Sequence, residues 1–230
     1  MARPAVREER RAQILDAMYA VVASRGLAGA SVSEIAEAAG IARGALHYFF
    51  ANKDEITKSL MRRLGERYLD ALAQYVDARI ARSSKSVVAD VARWHFKGDA
   101  GDAVRRMTVW IDYWGQAMSI PALREVVVEI QHAARATLAR ALLAQRPDLA
   151  TLDVDSVRAH GAVLLALVEG GLLQWRIAAA TGAPLDRERL GDALAAASQA
   201  HARSILAVGE LPKRRAGDRL APVQTLGEAA

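Results

Sequence analysis

One glycine, Gly40, separates two short amphipathic segments in the stretch SVSEIAEAAGIARGALHYFFANKDEI, residues 31–56. Helices shorter than ~12–15 residues are marginal alone in water, so both segments must be propped against longer neighbours. Ser31 and Glu34 form an S-x-x-E capping box that starts the first segment and leaves its free amide groups pointing outward. Val32, Ile35, Ala36 and Ala39 fall on its inner side. Gly40 supplies the left-handed conformation that ends a helix, and Ile41 follows as a buried plug. The second segment, from about Ala42 to Phe49, buries Leu46 and either Phe49 or Phe50. Arg43, Gly44, His47 and Tyr48 are then turned outward. The pattern is a helix-turn-helix, whose exposed second helix has the diameter to enter the DNA major groove.

The rest of the chain reads as all-helical. No period-two alternation is sustained, and the glycines and prolines fall between long stretches of helical period. A first helix is predicted from about Arg7 to Ser24, with Ile14, Met18, Val21 and Val22 on one face and Gly26 as its stop. Asn52 and Glu55 form a second capping pair that starts a fourth helix, fading near Ser83, with Ile56, Leu60 and Leu64 inside. Further helices are predicted over Ser86–Phe96, Asp102–Ser119, Pro121–Gln145, Asp153–Ala180 and Asp186–Val208, separated by KGDAG, SIP, RPD and TGAP. The expected organisation is a helix-turn-helix DNA-binding domain over residues 1–54, a larger helical regulatory and dimerisation bundle over 55–208, and a disordered tail over 209–230.

Residues 35–53 carry the word pattern I-A-x-x-A-G-[IV]-x-x-G-x-[LI]-x-Y-x-F-x-x-K. With a first helix upstream and a long fourth helix after it, this stretch resembles the DNA-binding domain of the TetR-type transcriptional repressors. The resemblance implies a dimer on a near-palindromic operator, with Ser31, Ser33, Arg43, Gly44, His47, Tyr48, Phe49 and Lys53 on DNA. Ser31, Tyr48 and Lys53 would mostly touch phosphates, and Ser33, Arg43 and His47 are the candidates for base edges. His47 stands where a tyrosine is usual, Phe49 where a histidine is common, and Ala42 where serine often sits; these departures bear on the operator sequence, not on the fold.

Charge alone does not argue for DNA. The net charge is +5, with 26 arginines and five lysines, but residues 1–54 carry only seven basic against six acidic side chains. Binding would rest on placement, including an N-terminal arm of Arg3, Arg7, Arg10 and Arg11 that reaches phosphates or the minor groove, or that is simply a frayed terminus. Cysteine is absent, which removes disulfides, thiolate metal sites and thiol nucleophiles. The N-terminus has no apolar stretch behind its positive charge, and the apolar run Ala162–Val168 stops at Glu169. A cytoplasmic protein without membrane attachment and without a cofactor is expected.

TVWIDYWGQAMSIPALREVVVEIQHAARATLARALL followed by LLALVEGGLLQW is similar to the BetI-type C-terminal domain, which implies dimerisation through the last two long helices and a small-molecule pocket. The residues agree. Leu167, Gly170, Gly171 and Gln174 belong to a helix apolar on more than one side, which a monomer has too few helices to cover, so they are candidates for a dimer interface. Each glycine costs about 1 kcal/mol in a helix interior, and a close helix approach would account for it. Glu169 is expected at the edge of that interface, paired with Arg176 or Arg203. Met107, Trp110, Trp114 and Met118 share one helix face, and with Trp94 and Phe96 they are the candidates for an effector pocket suited to an apolar, aromatic or cationic ligand. Asp112, Tyr113, Glu129 and His132 are its polar candidates.

The function expected is therefore a dimeric repressor released from its operator by a small-molecule effector. An effector-free DNA-organising protein is the alternative. A metal enzyme is disfavoured, because a di-iron bundle needs two E-x-x-H units and only Glu129–His132 supplies one.

Overall fold

The computed structural model describes residues 2–208, and among these it contains nine α-helices, one short 3-10 turn and no strand. The expected tail, 209–230, lies outside the described residues. The helices are α1 (Ala2–Gly29), α2 (Val32–Ala38), α3 (Arg43–Phe49), α4 (Lys53–Ala81), α5 (Val87–His95), α6 (Ala100–Ser119), α7 (Pro121–Gln145), α8 (Val154–Thr181) and α9 (Arg187–Val208).

Helix α1 is longer at both ends than its apolar stripe. It is helical from Ala2, so the basic terminus is a first turn and not an extended arm. Gly26 does interrupt it, with φ 74°, a conformation open to glycine at little cost, but helical turns resume as far as Gly29. The kink exposes the amide of Leu27, which donates to Asp112 Oδ2 of α6 at 2.9 Å. Ser31 and Glu34 form the reciprocal capping box, and Asn52 accepts from the amide of Glu55 to start α4.

Two apolar clusters share α4 and α7. The first joins α1, α2 and α3 to the N-terminal half of α4 and to α6 through Ile14, Met18, Val22, Leu46, Phe50, Leu60 and Tyr113. The second joins the C-terminal half of α4 to α5, α7, α8 and α9 through Leu72, Val88, Leu138, Leu164 and Ile205. Tyr68 and Leu69 pack against both. At Gly161 helices α7 and α8 approach so closely that a Cβ would lie 2.5 Å from the backbone oxygen of Arg135. A backbone atom cannot step aside as a side-chain tip can, so this position admits only glycine without moving a helix.

Helix α8 as a whole is long and apolar enough to cross a membrane by length and composition. The uninterrupted apolar run Ala162–Val168, which ends at Glu169, does not by itself reveal this. Core helices of soluble proteins pass the same test, and α8 packs against α7 and α9 through Leu164, Leu165 and Gly171.

Candidate nucleic-acid interface and ligand cavity

Helix α3 rests on the first cluster through Leu46, which is fully buried, and its C-cap Phe50 is buried beside it. The choice left open between Phe49 and Phe50 is thus made: Phe50 is core, and Phe49 is half-buried against the cluster edge. Ser31, Ser33, Arg43, Gly44, His47 and Tyr48 are all exposed. Tyr48 stands 72% exposed, edge-on to Phe49 at a centroid distance of 5.1 Å. A Cβ on Gly44 would meet no atom within 4 Å, so another molecule can approach the backbone there. His47 Nδ1 lies 3.3 Å from the carbonyl oxygen of Ala51; since a carbonyl only accepts, Nδ1 donates and Nε2 faces outward.

Two of the basic side chains assigned to this surface are occupied. Lys53 is half-buried and its ammonium donates to the carbonyl of Leu27 at 3.0 Å, leaving two N–H bonds for a phosphate. Arg11, expected in a terminal arm, instead donates to the carbonyl of Phe49, pairs with Glu55 at 3.3 Å and lies 4.0 Å from the Phe50 ring centroid. It holds α1, α3 and α4 together and is not an arm residue. Arg7 lies 5.8 Å from the ring centroid of Tyr48.

Where the two apolar clusters meet, a cavity of about 590 Å³ opens between α4, α5, α6, α7 and α8. Of the six residues named for an effector pocket, Trp94 from α5 and Met107, Trp110 and Trp114 from α6 line this cavity. Phe96 and Met118 do not. Phe96 is 2% exposed and wedged against Gly171 and Gly191, and Met118 is 76% exposed at the end of α6, one turn beyond the cavity. The sequence reading missed Tyr68, His95 and Gln131, which complete the wall.

Glu169 also lines the cavity. Its Oε1 accepts from Gln131 Nε2 at 2.7 Å, and neither expected arginine reaches it: Arg176 donates to Thr108 Oγ1 at 3.0 Å, and Arg203 is exposed on α9. Burial pushes the Glu169 carboxyl above the usual range, opposed by the Gln131 bond and more weakly by Arg135. Two donors near the cavity, Trp114 Nε1 and Arg63 Nε, are buried without a partner among the described residues.

The other polar candidates serve elsewhere. Asp112 holds the Leu27 amide, and Tyr113 is buried and donates to the carbonyl of Thr57 on α4 at 3.1 Å. Glu129 and His132 are exposed on α7, and no group of three metal-ligating side chains occurs among the described residues.

At the proposed dimer face, Gly170 and Gln174 are exposed and Leu167 is half-buried, while a Cβ on Gly170 would meet nothing within 4 Å. Gly171 belongs to the interior: its Cβ would strike Leu194 Cδ1 at 2.2 Å and Phe96 Cζ at 3.1 Å. Adjacent residues on a helix point about 100° apart, so the glycine pair could not serve one contact.

Residues 14–60 match the family described as bacterial regulatory proteins, tetR family. The chain is 29% identical to the HTH-type transcriptional regulator BetI of Burkholderia thailandensis over 79% of its length and 87% of that protein. It superposes on a putative TetR-family transcriptional regulator from Rhodococcus sp. with a TM-score of 0.66 at 21% identity, covering 84% of this chain and 98% of that one. It also superposes on the transcriptional regulator FadR from Bacillus subtilis in complex with stearoyl-CoA, with a TM-score of 0.63 at 22% identity over 84% and 98% of the two chains. These proteins are described as regulators, not as enzymes.

Proposed function

We propose that the chain is a TetR-type regulator that acts in the cytoplasm as a homodimeric repressor, binding a near-palindromic operator and released by a small molecule; the match of residues 14–60 to the tetR family and the likeness to BetI regulators support this reading. The observation that carries this reading is the pairing of an exposed, propped α3 with a large cavity on the same α4 and α6 framework. In this reading residues 1–54 bind DNA, residues 55–208 sense and dimerise, and Arg43, His47 and Ser33 read bases while Ser31, Gly44, Tyr48, Phe49 and Lys53 hold the backbone.

The coupling would run through α6. Trp110 and Trp114 line the cavity, while Asp112 on the same helix holds the kink of α1 and Tyr113 holds Thr57 near the start of α4. Lys53 closes the loop by bonding the carbonyl of that same Leu27. A ligand that displaces α6 therefore moves both supports of α3, and in a dimer this changes the distance between recognition helices that must fit successive major grooves. One structural neighbour, FadR from Bacillus subtilis, is described in complex with stearoyl-CoA, which agrees with a ligand-responsive regulator.

The dimer is supported by α8 and α9. Val163, Ala166, Gly170, Gln174 and Ile177 form an exposed stripe on α8, beside exposed Ala193, Ala196, Ala197 and Ala200 on α9. The first experiment is selection of bound duplexes from a random pool by the full-length protein. A recurring inverted repeat is expected, and absence of enrichment both with and without candidate ligands would overturn the operator reading.

A further inference from the structure

We propose that the cavity takes an amphiphilic organic cation of drug-like size and that Glu169 is the residue that selects its charge. The inference rests on the ligand-sensing reading above and goes beyond it by fixing the sign, shape and size of the ligand.

Three observations converge. Glu169, on α8, is the one lining carboxylate that is not exposed, whereas Asp16 and Asp102 also line the cavity but are exposed. Those two already pair with Arg63, at 2.5 Å, and with Arg105. Glu169 has a single hydrogen bond, from Gln131, and no ion pair among the described residues. A carboxylate desolvated in this way is costly unless a positive charge comes to it. Second, the walls around it present aromatic surface from α4, α5 and α6. Tyr68 and Trp110 meet edge to face at 6.0 Å, Trp110 and Trp114 lie 6.3 Å apart, and Trp94 stacks on Tyr75. Aromatic faces attract a cation and accept a flat apolar body at once. Third, about 590 Å³ is far more than a compact ammonium would fill, and it matches the range of sites that enclose drug-sized ligands.

The competing feature is the basic rim. Arg67, Lys97, Arg105 and Arg106 line the cavity and are exposed, while Arg63 lines it half-buried, with its charge already paired with Asp16 at 2.5 Å and its Nε without a partner among the described residues. Exposed charges act through water and salt, with a Debye length of about 8 Å, and contribute little per pair. Glu169 is partly buried and without an ion pair among the described residues, so it is screened less than the exposed rim, and unlike Arg63 its charge is free to meet that of a ligand seated beside it.

Tetraphenylphosphonium and tetraphenylborate test this, since they share size and shape and differ in the sign of their charge. Their binding to the full-length protein at physiological salt is followed by tryptophan fluorescence and calorimetry. The phosphonium is expected to saturate one site per chain and to bind at least tenfold tighter than the borate. Glu169→Gln should cost the phosphonium at least tenfold and narrow the gap between the ions, while Glu169→Asp retains a preference for the cation. Trp110→Ala should weaken the phosphonium as well, which ties the signal to the cavity. Thermal melts establish that each variant is folded. Equal or tighter binding of the borate at the tryptophan-sensitive site, or an unchanged phosphonium affinity in Glu169→Gln, would overturn the assignment of charge and leave the sensing cavity standing. If neither ion binds, the charge assignment and the reading of the cavity as a ligand site fall together.

Discussion

His95 is held in a single tautomer. Its Nδ1 lies 2.8 Å from the carbonyl oxygen of Val91, which can only accept, so that nitrogen carries the proton and Nε2 accepts from the Tyr68 hydroxyl at 3.1 Å. Burial lowers the ring's pKa from 6.5 to about 4. The unfolded chain takes up a proton near 6.5 and the folded chain does not, so stability is full above that pH and falls as pH drops through the window from 6.5 toward 4. By pH 5 the loss from this ring is about 2 kcal/mol. His160 and His201, whose pKa values burial also lowers, add to the same slope. His95→Gln should therefore shrink the difference in melting temperature between pH 7 and pH 5, and an unchanged difference would show that the ring is not kept neutral. The proposed DNA contacts make a second prediction at this scale. Arg43→Ala should cost about 1–3 kcal/mol on a preferred duplex and relax base preference at one position, whereas Lys53→Ala should weaken all duplexes alike and reduce the salt slope by about one. Anisotropy titrations on selected and random DNA at several salt concentrations separate the two outcomes.

Helix α6 has three neighbours to satisfy at once: the cavity through Trp110 and Trp114, the core through Tyr113, and α1 through Asp112. Asp112→Ala strips the acceptor from the Leu27 amide, which costs about 1–3 kcal/mol of stability if that amide stays dry. Operator affinity without ligand should change little, but the ligand-induced loss of affinity should shrink, because α6 no longer pulls on the kink. Full ligand response in this variant would exclude Asp112 from the coupling. The helices themselves were legible in the sequence because their ends carry local chemistry: Pro121 opens α7 as expected, and the Ser31–Glu34 box opens α2. What lies opposite a helix face was not legible. Met118 shares the periodicity of Trp110 and Trp114, yet the cavity ends before it, and nothing local marks that end. Phe96 follows Trp94 by two residues and so points away from it, into Gly171 and Gly191. Glu169 looked like an ion-pair member because buried carboxylates usually are; only the packing of α7 against α8 puts Gln131 there in place of an arginine. Arg11 failed as an arm residue for the same reason, since its partners Phe49 and Glu55 are distant in sequence.

Considered as a whole, the molecule leaves its most apolar helix incompletely covered. Val163 and Ile177 of α8 remain 42% and 49% exposed, and between them Gly170 opens onto empty space where a facing helix could come close. Burying such a side chain contributes about 1.5–3 kcal/mol, and a symmetric interface uses each position twice. In the proposed dimer the same stripe would bear on DNA, because two recognition helices reach successive major grooves about 34 Å apart only if the two copies are fixed relative to each other. Ile177→Asp separates these roles. The side chain is half-exposed in the single chain, so the variant should fold with a helical spectrum like the parent's. Placed against its symmetry mate in a dry interface, however, the carboxylate would be buried without a partner, and the dimer should weaken by several kcal/mol. Light scattering after size exclusion should then report a monomer at micromolar concentration, and affinity for an inverted repeat should drop to that for a single half-site. A variant that remains dimeric and binds the repeat at parental strength would place the interface elsewhere on the molecule, and would leave the exposed face of α8 without a partner.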